Sequence, residues 1–151
     1  MAVAEPGKPL EVAWCGDARA YLLPETGSQL ERLTTDHNVR QVMIDMELEP
    51  GPYARNRVTS YLGDTSPNPP LGSVRAPNNG RLVLASDGAY EPLEDAQVPI
   101  AEYLMGRPPH RAARALVSAA IAHANDRADN ATVLIADLVS RLSESAQWSC
   151  F

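Results

Sequence analysis

The chain has 151 residues, 44% of them hydrophobic and 21% charged, with a formal net charge of -6. That length can bury one real core, and the balance excludes a disordered polymer. The negative charge removes the electrostatic basis for docking on a nucleic-acid backbone, so no nucleic-acid partner is expected.

No apolar run is long enough to span a bilayer, and residues 1–10 lack the basic and apolar regions of a signal peptide. A cytoplasmic protein with no membrane partner is therefore expected. Lys8 is the one lysine among 13 basic residues. With frequent alanine and proline, that points to GC-rich coding and a bacterial source. The two cysteines, Cys15 in an expected buried strand and Cys150 in the tail, make neither a disulfide framework nor a zinc cluster.

In chain order, residues 10–15 and 18–23 read as two strands joined at Gly16-Asp17, a hairpin signal. A short strand is expected at 29–33. Thr34, Thr35 and Asp36 offer capping chemistry for a helix running to about Glu47, with Val39, Val42, Met43 and Met46 facing the core. Residues 64–70 read as a polar, proline-rich loop. Asn78-Asn79-Gly80 is a tight turn into a buried strand over 81–86, which runs out into Asp87-Gly88. Pro92 and Pro99 interrupt the segment after Gly88, with a short helix at 100–105. Pro108-Pro109 opens a stronger helix, with a stripe of Ala113, Leu116, Val117, Ala120, Ile121 and Ala124 opposite Arg111, Arg114 and Ser118. Asp129-Asn130 leads into a last buried-looking strand. One domain is expected over 1–139 and a polar tail over 140–151, with Trp148 and Phe151 exposed. Apolar side chains on both strand faces suggest sheets covered on both sides, and the hairpin turns favour α+β over a doubly wound parallel sheet.

Three aspartates stand at strand ends or turns: Asp17, Asp87 and Asp129. A strand end holds a carboxylate rigidly out of the core, which suits a hard-metal site. Taken singly, Asp87-Gly88 reads as a turn after a strand and Asp129-Asn130 as cap chemistry before one. Their order changes the balance. Cys15-Gly16-Asp17-Ala18-Arg19-Ala20-Tyr21-Leu22, Leu33-Thr34-Thr35-Asp36-His37, Leu82-Val83-Leu84-Ala85-Ser86-Asp87-Gly88 and Asp129-Asn130-Ala131-Thr132-Val133 occur in this sequence one after another. Together they resemble the C-terminal motifs of the metal-dependent serine/threonine phosphatases of the type 2C (PPM) family. Residues 56–63 are similar to the segment before that family's flap-like loop, and the resemblance covers nearly all of residues 10–138.

The resemblance implies a layered α-β-β-α sandwich of two antiparallel sheets flanked by helices, with a pair of Mn²⁺ or Mg²⁺ ions at one end. It implies hydrolysis of phosphoserine or phosphothreonine by a metal-activated water, without a covalent intermediate. By position, Asp87 and Asp129 would be carboxylate ligands of one ion, Asp17 would serve a weaker third ion, and Gly88 would give the backbone room beside them. His37 reads as structural, hydrogen-bonding near a helix start, and His110 and His123 as solvated helix residues. The family's Asp-Gly-x-Gly-Gly segment, with its bridging aspartate, is not found in these 151 residues, nor is its upstream phosphate-holding arginine. Residues 1–10 are too short to hold the strands and helix that carry them. The expectation is therefore an N-terminally truncated phosphatase domain that binds at most one ion, weakly. The alternative is a non-catalytic, phosphatase-like binding or regulatory module. A phosphoprotein or cognate kinase is the partner the resemblance implies. An uncovered sheet would also draw in a second copy or a complementing N-terminal partner.

Overall fold

Alternation and turn chemistry set the elements. The computed structural model describes residues 1–27, 29–124 and 129–138. Along the chain come strands β1 (Ala2–Val3), β2 (Leu10–Trp14), β3 (Arg19–Leu23) and β4 (Glu31–Arg32), then helix α1 (Val39–Asp45). Strands β5 (Gly72–Ala76) and β6 (Gly80–Ala85) come next, then helices α2 (Asp87–Asp95), α3 (Ala101–Leu104) and α4 (Pro109–His123), and strand β7 (Val133–Leu138). The tail expected at 140–151 lies outside the described residues.

The strands form two antiparallel sheets, ordered β1-β2-β5 and β4-β3-β6-β7. The fold is α+β, as expected. The hairpin reading of residues 10–23 is wrong, however. β2 pairs with β1 and β5, while β3 pairs with β4 and β6, so Gly16-Asp17 carries the chain from one sheet to the other. Gly16 sits at φ +89, a left-handed conformation that costs glycine little and lets the chain change layers there.

Two cores result from this layering. Between the sheets lie Leu10, Val12 and Ala76 from the first, against Ala20, Leu22 and Leu82 from the second. On the other face of the second sheet, Tyr21, Leu23, Val83 and Ala85 pack against Ala89, Tyr90 and Leu93 of α2, Leu104 of α3 and Leu116 of α4. β3 belongs to both cores and all five of its residues are buried. The first sheet departs from the expectation of two covered faces: β2 alternates, and Glu11 and Arg75 pair on its exposed side at 2.9 Å. Among the described residues, helices pack against the second sheet only.

Several local expectations give way to tertiary structure. Asn38, rather than Thr34, Thr35 or Asp36, caps α1, its side chain accepting from the Gln41 N–H. No residue of α1 is buried, and Val42 and Met46 are exposed. Thr34 Oγ1 instead accepts from the Ala20 N–H at 3.1 Å. Pro92 does not break the chain: α2 runs through it, and only the Gly88 carbonyl loses an intrahelical partner. The buried stripe of α4 is Ala112, Leu116 and Ala120, turned away from Ile121, which is exposed.

Candidate metal and phosphate site

The strand–helix junction after β6 builds one wall of a cleft. Ser86 is the last residue before α2, and its Oγ donates to the Asn130 carbonyl at 3.1 Å while accepting from the Thr132 N–H at 3.0 Å. The Ser86 N–H also donates to the Thr132 carbonyl. One serine thus staples the segment before β7 to the start of α2. Gly88 makes the approach sterically feasible: a Cβ there would lie 2.8 Å from the Asn130 oxygen and 3.0 Å from the Asp129 carbonyl carbon. The space beside Gly88 is taken by the backbone of Asp129 and Asn130.

Asp87 and Asp129 are brought to the same cleft by that contact. Each also keeps a local bond of the kind turn chemistry supplies. One oxygen of Asp87 accepts from the Gly88 N–H at 2.8 Å, and one of Asp129 accepts from the Asn130 N–H at 2.6 Å. Among the described residues, no hydrogen bond to the second oxygen of either competes with a ligand. A carboxylate in the first turn of α2 is further favoured by the positive end of the helix dipole.

Asp17 reaches the cleft from the connection between the sheets. Its carbonyl accepts from the Tyr90 hydroxyl at 2.9 Å, and the preceding Gly16 carbonyl accepts from the His37 N–H at 3.0 Å. The Asp17 carboxyl is held above its ordinary pKa, first by burial and then by the charge of Asp87. Glu91, one turn beyond Asp87, is raised as well, mainly by burial, with Arg55 opposing. Two crowded, half-buried acids of this kind are what a cation would relieve.

Behind Asp17 a buried network fixes the frame. The Arg19 guanidinium is almost fully buried, bonds Asp36 at 2.8 and 2.9 Å, lies 3.7 Å over the Tyr90 ring and reaches Glu94 of α2. Arg32 also donates to Asp36, reaching Oδ1 at 2.7 Å. Arg19 therefore ties β3, the segment before α1 and α2 together, a planar fork that lysine could not reproduce.

The cleft has a volume of about 460 Å³ and brings in residues that no sequence motif assigns to it: Arg55, Glu91, Asp95 and His123. Arg55 is bidentate to Asp95 at 2.8 and 2.9 Å and 3.4 Å from Glu91. Asp87, Glu91 and Asp95 recur every fourth residue, so one face of α2 is acidic, and that spacing was legible in the sequence. His123, read as solvated, is exposed but borders the cleft, whereas His110 is exposed and does not. His37 hydrogen-bonds through its backbone just before α1, its N–H donating to the Gly16 carbonyl and its carbonyl accepting from the Thr59 N–H. Its Nδ1 is buried without a hydrogen-bond partner among the described residues, and its ring stacks on Trp14 at 6.1 Å between centroids.

The donor chemistry fits a hard divalent cation, since among the described residues the cleft presents carboxylate oxygens and no thiolate. The donor number falls short. No three His, Cys, Asp or Glu side chains among the described residues converge closely enough to hold an ion.

No protein-family model matches the chain, and no curated protein matches it by sequence. Solved structures do. The Mycobacterium tuberculosis serine/threonine phosphatase PstP/Ppp is similar with a TM-score of 0.71 and 28% identity, covering 87% of this chain and 56% of that one. The PstP catalytic domain in complex with two manganese ions gives 0.70 and 29%, covering 90% and 56%. The PPM Ser-Thr phosphatase MsPP of Mycobacterium smegmatis, in complex with cacodylate, gives 0.68 and 26%, covering 86% and 56%. The architecture is that of a PPM-type phosphatase domain, of which this chain spans just over half the solved length.

Proposed function

We propose that the cleft is the carboxylate portion of a metal-dependent serine/threonine phosphatase centre, acting on phosphoserine or phosphothreonine in a protein. The observation that carries this reading is the Ser86–Gly88 junction, which packs against the 129–132 segment and sets Asp87 and Asp129 on one cleft with Asp17. Asp87 and Asp129 would hold Mn²⁺ or Mg²⁺, with Asp17 serving a weaker ion. When bound, such ions supply a water of lowered pKa and neutralise charge on the transferred phosphoryl group. The residues of this chain orient that chemistry: Tyr90 fixes the Asp17 turn, Ser86 fixes the Asp129 segment, and Arg19 ties α2 to the second sheet through Tyr90 and Glu94. Arg55 is committed to Asp95, so the phosphate-holding arginine of the family has no free counterpart on the cleft among the described residues. The chain alone is therefore a weak or inactive catalyst.

A second reading has support in the same observations. With Arg55 locked and no three ligands converging among the described residues, the surface fits a non-catalytic phosphatase-like module that docks on a phosphoprotein or its kinase. A bacterial, cytoplasmic setting is part of both readings. Among the described residues no helix is long and apolar enough to cross a membrane. The deciding experiment is Mn²⁺-dependent hydrolysis of a phenyl phosphate by the purified chain. Slow turnover that Asp87→Asn removes supports the phosphatase reading. Turnover that Asp87→Asn leaves untouched refutes it, and robust turnover that Asp87→Asn abolishes refutes the weakness of the isolated chain.

A further inference from the structure

Helix α4 carries a stripe of positive charge that the cleft does not use. Its buried side is Ala112, Leu116 and Ala120. At about 100° per residue, His110, Arg111 and Arg114 turn away from that side, and Arg107 stands just before the helix. All four are exposed. Met105 precedes the stripe and Ile121 follows it, 52% and 63% exposed. Helix stability does not account for this pattern. No Asp or Glu occurs between Glu102 and Asp126, in a chain of net charge -6. α4 therefore has no internal ion pair, and its first turn sets cations at the positive end of the helix dipole, the less stable arrangement. Elsewhere Arg19, Arg32, Arg55, Arg75 and Arg81 each hold a carboxylate. Among the described residues no ion pair involves Arg107, Arg111 or Arg114, and the Arg107 guanidinium donates only to the Glu102 carbonyl, at 2.9 Å. The stripe rests on a fixed base: the Arg107 carbonyl accepts from Arg81 at 2.7 Å, and α4 packs on α2, α3 and β7.

We propose that this outer face of α4 is a docking surface for an acidic segment of the phosphoprotein, set apart in sequence from the phosphorylated residue that enters the cleft. The proposal rests on the phosphatase-like reading of that cleft. Charge complementarity identifies the occupant. Guanidinium forks take carboxylates two-pronged, and the flanking Met105 and Ile121 offer apolar contact to the same peptide. The positive stretch from Arg107 to Arg114 covers only about 10 Å of helix, close to one Debye length. That matches a few residues of extended peptide, whereas a long polyanion or a charged membrane meets the field of the whole chain, at net charge -6. Placement gives the spacing. The C-terminal end of α4, at His123 and Ala124, lines the cleft. Arg114 lies nine residues earlier, about 14 Å along the axis, so about four or more residues of extended peptide separate the two points. Acidic residues closer to the phosphorylated side chain would meet the carboxylates of Asp17, Asp87, Glu91 and Asp129 instead.

The probe is a fluorescein-labelled peptide of about sixteen residues, with one phosphoserine and a block of about four glutamates beginning about five residues from it. Its anisotropy is read against the purified chain in the absence of metal. The expected result is saturable binding with Kd of order 10⁻⁴ M at about 0.05 M salt, weakened several-fold at about 0.3 M. Arg111→Glu with Arg114→Glu should weaken it by about tenfold or more. Both side chains face solvent, so the fold should hold, which an unchanged circular dichroism spectrum checks. Arg75→Glu reverses a charge on the exposed face of the first sheet and should leave binding within about twofold of the parent. Equal binding by parent and double variant overturns the proposal, as does equal binding of a peptide with glutamines in place of the glutamates. No saturable binding up to about 1 mM chain overturns it too. So does tighter binding of a single-stranded oligonucleotide or of anionic vesicles, which assigns the stripe to another polyanion. Salt-sensitive self-association that the double variant removes assigns it to a second copy and has the same effect. The readout needs neither metal nor turnover. Peptide binding that the double variant loses, without Mn²⁺-dependent hydrolysis, keeps this inference and counts against the phosphatase reading; hydrolysis sensitive to Asp87→Asn without peptide binding does the reverse.

Discussion

Replacing Gly88 by alanine tests the junction on which the candidate site is built. The new Cβ would meet the Asn130 oxygen at 2.8 Å and the Asn130 and Asp129 carbonyl carbons at 3.0 Å, all backbone atoms that cannot swing aside. About half an ångström must open between α2 and the segment before β7. Helix propensity works in the opposite direction, because alanine in place of glycine in a helix gains about 1 kcal/mol. Overpacking a close contact costs about 1–3 kcal/mol. The displaced segment also strains the bonds from Ser86 to Asn130 and Thr132, each contributing about 1 kcal/mol. The steric terms outweigh the propensity term, and the expected outcome is a net loss of about 1–2 kcal/mol in urea unfolding together with a weakened calorimetric response to Mn²⁺. Gly51→Ala is the control, since nothing lies within 4 Å of its Cβ; it should be neutral or slightly stabilising. A Gly88→Ala chain as stable as its parent, with unchanged Mn²⁺ binding, would refute the reasoning.

Two further predictions concern the frame around the cleft. Arg19→Met strips the buried Asp36 of its bidentate partner while leaving Arg32, and should cost about 3 kcal/mol, seen as a large fall in Tm; an unchanged Tm would show that Arg32 alone suffices. Arg81 holds the Asp137 carboxyl below its ordinary value through a pair at 2.6 and 2.9 Å. Because that pKa is depressed on folding, the stabilisation is present above the unfolded value of 3.8 and is lost as pH falls through the lower folded value. Asp137 is 44% exposed, so solvent screening limits the effect to about 0.5 kcal/mol. Asp137→Asn should therefore lower Tm slightly at neutral pH, by an amount that shrinks as pH falls through the lowered folded value. A deficit that persists in acid would show that the pair acts through packing rather than charge.

The sequence was most legible where local pattern and tertiary need agree. The run Leu82-Val83-Leu84-Ala85 reads as a buried strand because it is one, covered on both faces in the centre of the second sheet. The three aspartates were legible through the order of their motifs, and all three border one cleft. Pairing partners were not legible. β2 and β3 lie close in sequence and look like a hairpin, but their apolar inner faces are satisfied only by separating into opposed sheets. β5 has no clear strand signal because glycine, serine and arginine dilute its pattern, leaving only Val74 and Ala76 to mark the inner face. The helical spacing of Val39, Val42, Met43 and Met46 was real, yet α1 has no layer to pack against among the described residues, so periodicity alone implied a burial that does not occur. Arg55 and His123 join the cleft by long-range convergence, which no local spacing encodes.

Calorimetric titration of Mn²⁺ into the isolated chain, beside Asp87→Asn, tests the central claim most directly. Two cleft carboxylates without a bridging partner should give a single weak site, with Kd of order 10⁻⁴–10⁻³ M, lost in Asp87→Asn. A parent chain whose Mn²⁺ response is indistinguishable from that of Asp87→Asn, or one with two tight sites, would contradict the account.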